Sequence, residues 1–112
     1  MKLTNKCKED FEKWSLENKV LTKSLGGYCV QEGVVLVEFN KLPDTMKFGV
    51  YQDFFDTVGI YIECYIDCID TYSWNVNIKT LEVDYHETHC TSRSDANICA
   101  IKQANNIYNE RV

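Results

Sequence analysis

YIECYIDCID, residues 61–70, separates into two lists when every second position is taken. Ile62, Cys64, Ile66 and Cys68 form an apolar list, and Tyr61, Glu63, Tyr65 and Asp67 form a polar, aromatic one. Successive side chains of a strand point to opposite faces. The spacing therefore predicts a β-strand over residues 60–69, one face turned into a core and the other left to water. The rest of the chain has to supply what covers the first list.

Downstream, residues 70–73 read as a turn. Trp74, Val76 and Ile78 then alternate with Ser73, Asn75, Asn77 and Lys79, and at Thr80 the phase slips, so that Leu81, Val83 and Tyr85 become the apolar set. A β-bulge near Thr80 would keep one buried face across such a slip. This predicts a long strand over residues 73–86, paired with 60–69 as an antiparallel hairpin, with Glu82, Asp84 and His86 outward beside the polar list. Acids facing one another across strands repel.

Helical spacing accounts for three other segments. Cys7, Phe11, Trp14 and Asn18 predict a helix over residues 5–18. Met46, Val50, Phe54 and Val58 recur at i+4 behind Asp44, whose carboxylate is placed to cap the helix, and Gly59 sits where a left-handed C-cap is wanted. Gly49, costly in a helix interior, is read as serving close packing. Ser92 and Asp95 match a capping box ahead of Asn97, Ala100, Ile101, Ala104, Ile107 and Tyr108. Tyr28–Val30 and the run from Val34 to Phe39 predict a hairpin around Gln31-Glu32-Gly33. VVLVEF is so apolar that this strand is expected to be covered on both faces. The closure that follows is an α+β fold: an antiparallel sheet of about four strands with three helices packed mainly on one face, residues 1–112 forming a single domain.

Charge narrows the function. The 112 residues carry a net charge of −5. Between residues 51 and 89, eight acids face one base, Lys79, while both flanks are near balance. Such a centre repels nucleic acid and attracts basic partners. No apolar run approaches the ~18 residues of a membrane span, and the charged start lacks the apolar stretch of an export signal. The six cysteines are accordingly read as reduced thiols in a cytoplasm. Cys64 and Cys68, ~13 Å apart on a strand, are read as small core residues rather than a bridge.

LPDTMKFGVYQDFFDTVGIYI, residues 42–62, with the ending SRSDANICAIKQANNIYNE, residues 92–110, resembles small uncharacterised proteins of phages and prophages of Bacteroidetes-type bacteria. The segment from Gly49 to Gly59 is the distinctive part. The resemblance implies a mobile-element protein acting in the cytoplasm of a bacterial host, and accessory phage proteins of this size include inhibitors of host defence such as anti-CRISPR proteins. No functional residue is carried over from it.

The expectation is a non-enzymatic binding protein without a cofactor. Tyr61, Glu63, Tyr65, Asp67, Glu82 and Asp84 form its partner-binding surface, offering aromatic anchors and carboxylates to the basic groove of a host protein, for instance a CRISPR nuclease or its RNA complex. The ordinary alternative is a solvent-facing sheet, where tyrosine is common for its strand preference. Two other readings stand beside it. One is nucleic-acid binding through Lys6, Lys8, Lys13, Lys19 and Lys23, which are interleaved with acids that weaken their field. The other is a small metal-dependent enzyme at residues 86–90. There His86, His89 and Cys90 are candidate ligands, but their spacing fits no recognised finger and no third group or oxyanion hole accompanies Cys90 or Cys99. Asp53 and Asp56, at i and i+3, read as solvated acids.

Overall fold

A computed structural model of the chain describes residues 1–24, 27–33, 35–67 and 73–111. Cys68, residues 70–72 of the expected turn, and Val34 lie outside the described residues, as does the side chain of Asp67. In chain order the elements are α1 (Asn5–Glu17), β1 (Thr22–Ser24), β2 (Gly27–Glu32), β3 (Val35–Glu38), a 3-10 turn (Phe39–Lys41), α2 (Asp44–Thr57), β4 (Tyr61–Asp67), β5 (Ser73–Lys79), β6 (Asp84–Cys90) and α3 (Arg93–Glu110). The class is α+β. Instead of one sheet of four strands there are two antiparallel sheets of three, β1-β2-β3 and β4-β5-β6.

The alternation of residues 61–67 holds as a strand. Ile62 pairs with Ile78, Cys64 with Val76 and Ile66 with Trp74 on one face; Tyr61, Glu63 and Tyr65 pair with Lys79, Asn77 and Asn75 on the other. The slip at Thr80 is a hairpin turn, not a bulge. Thr80 N–H donates to Val83 O at 2.8 Å, and its Oγ1 accepts from the N–H groups of Glu82 at 3.1 Å and Val83 at 2.8 Å. Lys79 therefore pairs with Asp84 and Ile78 with Tyr85. A turn and a bulge produce the same change of parity along a sequence. What decides here is a hydroxyl that can satisfy two turn N–H groups. The bulge lies farther on: between the pairs Val76–Glu87 and Trp74–Cys90, β5 has only Asn75 while β6 has Thr88 and His89, the latter at φ +66°.

The core is built on α3, whose small residues let it approach the second sheet closely. Ala96, Ala100, Ile101 and Ala104 are buried in one cluster with Ile60, Ile62, Val76 and Ile78. Polar residues in the same helix fix α1. Asn105 Oδ1 accepts from Thr4 N–H at 2.8 Å while its Nδ2 donates to Thr4 Oγ1 at 2.9 Å, and Asn109 Oδ1 accepts from Cys7 N–H at 2.9 Å. The first-turn donors that a helix cannot satisfy by itself are thus met by another helix; Thr4, at the N-cap position, makes no side-chain cap.

On α2 the expected stripe is only partly right. Phe54 is buried, but Met46 is 46% exposed, and the buried face is Tyr51, Phe54 and Phe55. Pro43, not Asp44, occupies the N-cap position; Asp44 opens the first turn without a side-chain cap bond, where its charge suits the helix dipole. Gly59, at φ +76°, ends α2 as expected: Gly59 N–H reaches Asp56 O and Ile60 N–H reaches Phe55 O, a Schellman ending. Gly49 serves no close packing, since a Cβ placed there would meet nothing within 4 Å.

Strand β3 is also unlike its expectation. Val35 is 58% and Leu36 43% exposed on β3, an edge strand of the first sheet, whereas Val37 packs against the core. Among the described residues, no helix is long and apolar enough to cross a membrane.

Candidate functional site

The outer face of β4-β5-β6 is where the structure gathers most of the candidate residues. Alternation sends Tyr61, Glu63 and Tyr65 of β4 to this face, with Asn75, Asn77 and Lys79 of β5 and Asp84 and His86 of β6. Helix α3 packs on the opposite face, where Ile62, Val76 and Ile78 join Ala96, Ala100 and Ala104 in the core, and α2 runs beside β4, with Gln52 and Asp56 at the Tyr61 end. Tyr61 is 58% exposed, Glu63, Asp84 and His86 are exposed, and Tyr65 is half-buried. Asp67 is in register at the end of β4, opposite Ser73. Glu82 is not on the face; it occupies the Thr80–Val83 turn beside it.

The order of strands changes the electrostatics expected of this surface. Glu63 lies opposite Asn77 and Asp84 opposite Lys79, so the central strand separates the acids of β4 from those of β6. The repulsion that a two-stranded arrangement would impose is relieved. His86 Nδ1 donates to Asn77 Oδ1 across the ladder, and this pair spans the middle of the face without adding like charge. The result is a row of hydrogen-bonding amides flanked by carboxylates, with one lysine at the Tyr61 end.

That end is also the most contoured. A cleft of about 400 Å³ is lined by Tyr61, Glu63, Asn77, Lys79, Gln52 and Asp56. A second, of about 600 Å³, is lined by Tyr61, Lys79, Leu81, Glu82, Val58 and Arg111 among others. Tyr61 forms part of both. Arg111 is held there by its Nη1, which donates to Val58 O at 2.7 Å, and Leu81 is fully exposed at the turn tip. An aromatic ring between two clefts beside an exposed leucine has the make-up of an interface anchor. The Leu81 position was hidden in the sequence because the phase slip assigned it to the buried set. Arg111 lies far along the chain, and no periodicity links it to this surface.

Asn75 is the second residue that sequence reasoning passed over. It is 5% exposed, and its Oδ1 is buried without a hydrogen-bond partner among the described residues. Most buried polar atoms are paired. This one lies in the centre of the face, between Tyr65 and the bulge of β6.

The other candidates are dispersed. His86 is on the outer face, His89 is in the bulge, and Cys90 pairs with Trp74 on the inner side. Among the described residues no three histidine, cysteine or acidic side chains converge where a metal ion could sit. Cys7, Cys29, Cys64, Cys90 and Cys99 are free thiols. Burial pushes Cys64 up to about 11, with Cys90 and Cys99 adding to it; Cys90 is likewise raised, first by burial. Raised thiols are poor nucleophiles. Of the lysines on α1, Lys6 pairs with Asp10 at 3.1 Å, and Lys8 and Lys13 project to solvent among Glu9, Glu12 and Glu17. Asp53 and Asp56 are exposed on α2. The chain matches no family model, no curated protein and no solved structure.

Proposed function

We propose that this chain is a binding protein that docks the outer face of β4-β5-β6 on a basic groove of a partner protein. The observation that supports it best is the sheet face turned away from α3, which carries an exposed tyrosine, Tyr61, between two clefts and beside Glu63. Carboxylates spaced by amides suit arginine and lysine side chains, which bring several donors each. Opposite charge would speed encounter and make it sensitive to salt. The phage resemblance of residues 42–62 and 92–110 supports placing that partner among host proteins that handle nucleic acid, with CRISPR nucleases as the class to test first. Inhibition would follow from occupying the groove that the nucleic acid needs.

The test is capture from a bacterial host lysate with the wild-type chain, Tyr61→Ala, Glu63→Lys and Lys13→Glu. Loss of the same captured protein with the first two, retention with the third, and release by salt support the reading. Retention by both face variants overturns it. Loss with Lys13→Glu alone would move the contact to α1 and favour direct nucleic-acid binding.

A further inference from the structure

A cavity of about 350 Å³ opens between α1, the first sheet and α2. Three aromatic rings form one wall. Phe11 and Tyr51 meet edge to face with centroids 4.9 Å apart, Phe39 and Tyr51 at 5.5 Å, and Phe11 and Phe39 at 5.8 Å. Lys2 and Lys8 also line the cavity and are themselves exposed, so their ammonium groups belong to its rim.

Tyr51 is the informative residue. It is 5% exposed, yet its hydroxyl makes no hydrogen bond to any described residue, and that oxygen is not among the fully buried orphans. What remains open to it is the cavity it lines. A tyrosine this deep ordinarily finds a partner for its O–H. The second tyrosine of the cavity does so: Tyr28 donates to Glu12 Oε2 at 3.1 Å. Glu12 is thereby held by Tyr28, and the other charged groups that line the cavity are Lys2 and Lys8; Asp44 lies near enough to Tyr51 to act on its hydroxyl. Burial raises the Tyr51 hydroxyl to about 12, so at neutral pH it is a donor.

From these contacts we infer a small-molecule site for a flat aromatic carboxylate, its rings against Phe11, Phe39 and Tyr51 and its carboxylate reached by the Tyr51 hydroxyl and the two lysines. The volume is in the range of ligand pockets, roughly 300–1,000 Å³, and exceeds the ~150 Å³ that accommodates benzene. One or two fused rings fit. The polar groups are few against an aromatic wall, as such sites require. This site shares no lining residue with the clefts of the outer sheet face, and it stands or falls independently of the docking proposal.

The probe is naphthoate, with neutral naphthalenemethanol as the uncharged control. Both are followed by ligand-observed NMR and calorimetry on the whole chain at neutral pH. Wild type is expected to bind naphthoate in preference to the alcohol. Tyr51→Phe, which keeps the ring and its packing, should weaken naphthoate about 5-fold, the usual cost of one lost hydrogen bond. Lys2→Gln with Lys8→Gln should remove the preference over the alcohol. Unfolding curves of each variant show that the fold is kept, and naphthoate-induced shifts in the wild-type Phe11, Phe39 and Tyr28 resonances place the ligand without any substitution. Absence of binding at millimolar naphthoate, shifts elsewhere on the protein, or equal affinity in Tyr51→Phe overturns the proposal.

Discussion

Replacing Asn75 by valine should make the protein more stable, although the residue is buried in the middle of a sheet. Asn75 is 5% exposed and its Oδ1 has no partner among the described residues, so folding removes that oxygen from water without return. Such an unsatisfied group costs about 1–3 kcal/mol. Valine has no acceptor to strand, and its strand preference adds up to ~1 kcal/mol. Against this stands the different shape of valine, whose branched side chain has to fit where the flat amide lies opposite Tyr65 in the ladder, so a net gain of about 1–2 kcal/mol is expected. With a urea slope of about 2 kcal/mol/M, the unfolding midpoint should rise by about 0.5–1 M at unchanged slope. Asn75→Asp, which puts a charge in the same place, should lower it. If Asn75→Val lowers the midpoint, Oδ1 has a partner in solution and the orphan reasoning is wrong. Combined with the capture assay, a variant that is more stable but no longer retains the partner would assign the amide to docking, where proteins commonly give up stability for function.

The ends of two helices offer a matched pair. Lys19 N–H reaches Leu16 O and Val20 N–H reaches Ser15 O, the ending seen at Gly59, but here a lysine holds φ +57°. Lys19→Gly should gain about 1 kcal/mol and Gly59→Ala lose about as much, since left-handed backbone costs ordinary residues about 1–2 kcal/mol. Gly49→Ala, with open space around the new methyl, should gain about 0.5–1 kcal/mol. Urea midpoints check all three; a gain at Gly59 would contradict the argument. Alkaline titration tests the buried acids. Burial raises Cys7, Tyr51 and Tyr108 each to about 12 in the folded chain, above their unfolded values of about 8.5 for cysteine and 10 for tyrosine. Between those limits the unfolded chain has lost protons that the folded chain keeps. Their contribution is therefore complete below the unfolded values and is lost as pH rises toward about 12. Unfolding followed from pH 7 to 11 should show stability level at first and then falling, with the onset shallower in Cys7→Ala; a rise with pH would reverse the sign and refute the assignment.

How far the sequence could be read depended on whether the deciding contact was local. Tyr61–Asp67 alternates because one face meets α3, and that period survives in the sequence. The three helices were legible from spacing and from Gly59. Two readings failed because apolar content does not say what, if anything, covers a face. On α2, apolar side chains occur at Met46, Phe48, Val50, Tyr51, Phe54 and Phe55, so two stripes compete, and the aromatic contacts of Phe11 with Tyr51 and Phe54 select the second. In β3 the same apolar content is left as an exposed edge. Nor does a parity change at Thr80 tell a turn from a bulge. The site fared similarly. Tyr61, Glu63 and Tyr65 share a face because they share a strand, whereas Leu81, Arg111 and the unpaired Asn75 acquire their place from the turn, the C-terminus and the bulge.

The exposed apolar edge at β3 competes with the outer sheet face as a docking surface, and the two can be weighed. Edge strands invite pairing, and proteins blunt them with brevity and charge. Strand β3 is four residues long and ends in Glu38, which pairs with Lys41 at 3.6 Å. Pairing along so short a strand buries far less than the roughly 1,200 Å² at the low end of stable interfaces. The face of β4-β5-β6 presents three strands of seven residues and an aromatic between clefts. The β3 edge is guarded against pairing, whereas the outer face combines area with an aromatic anchor, so this face is the better place to look for a partner.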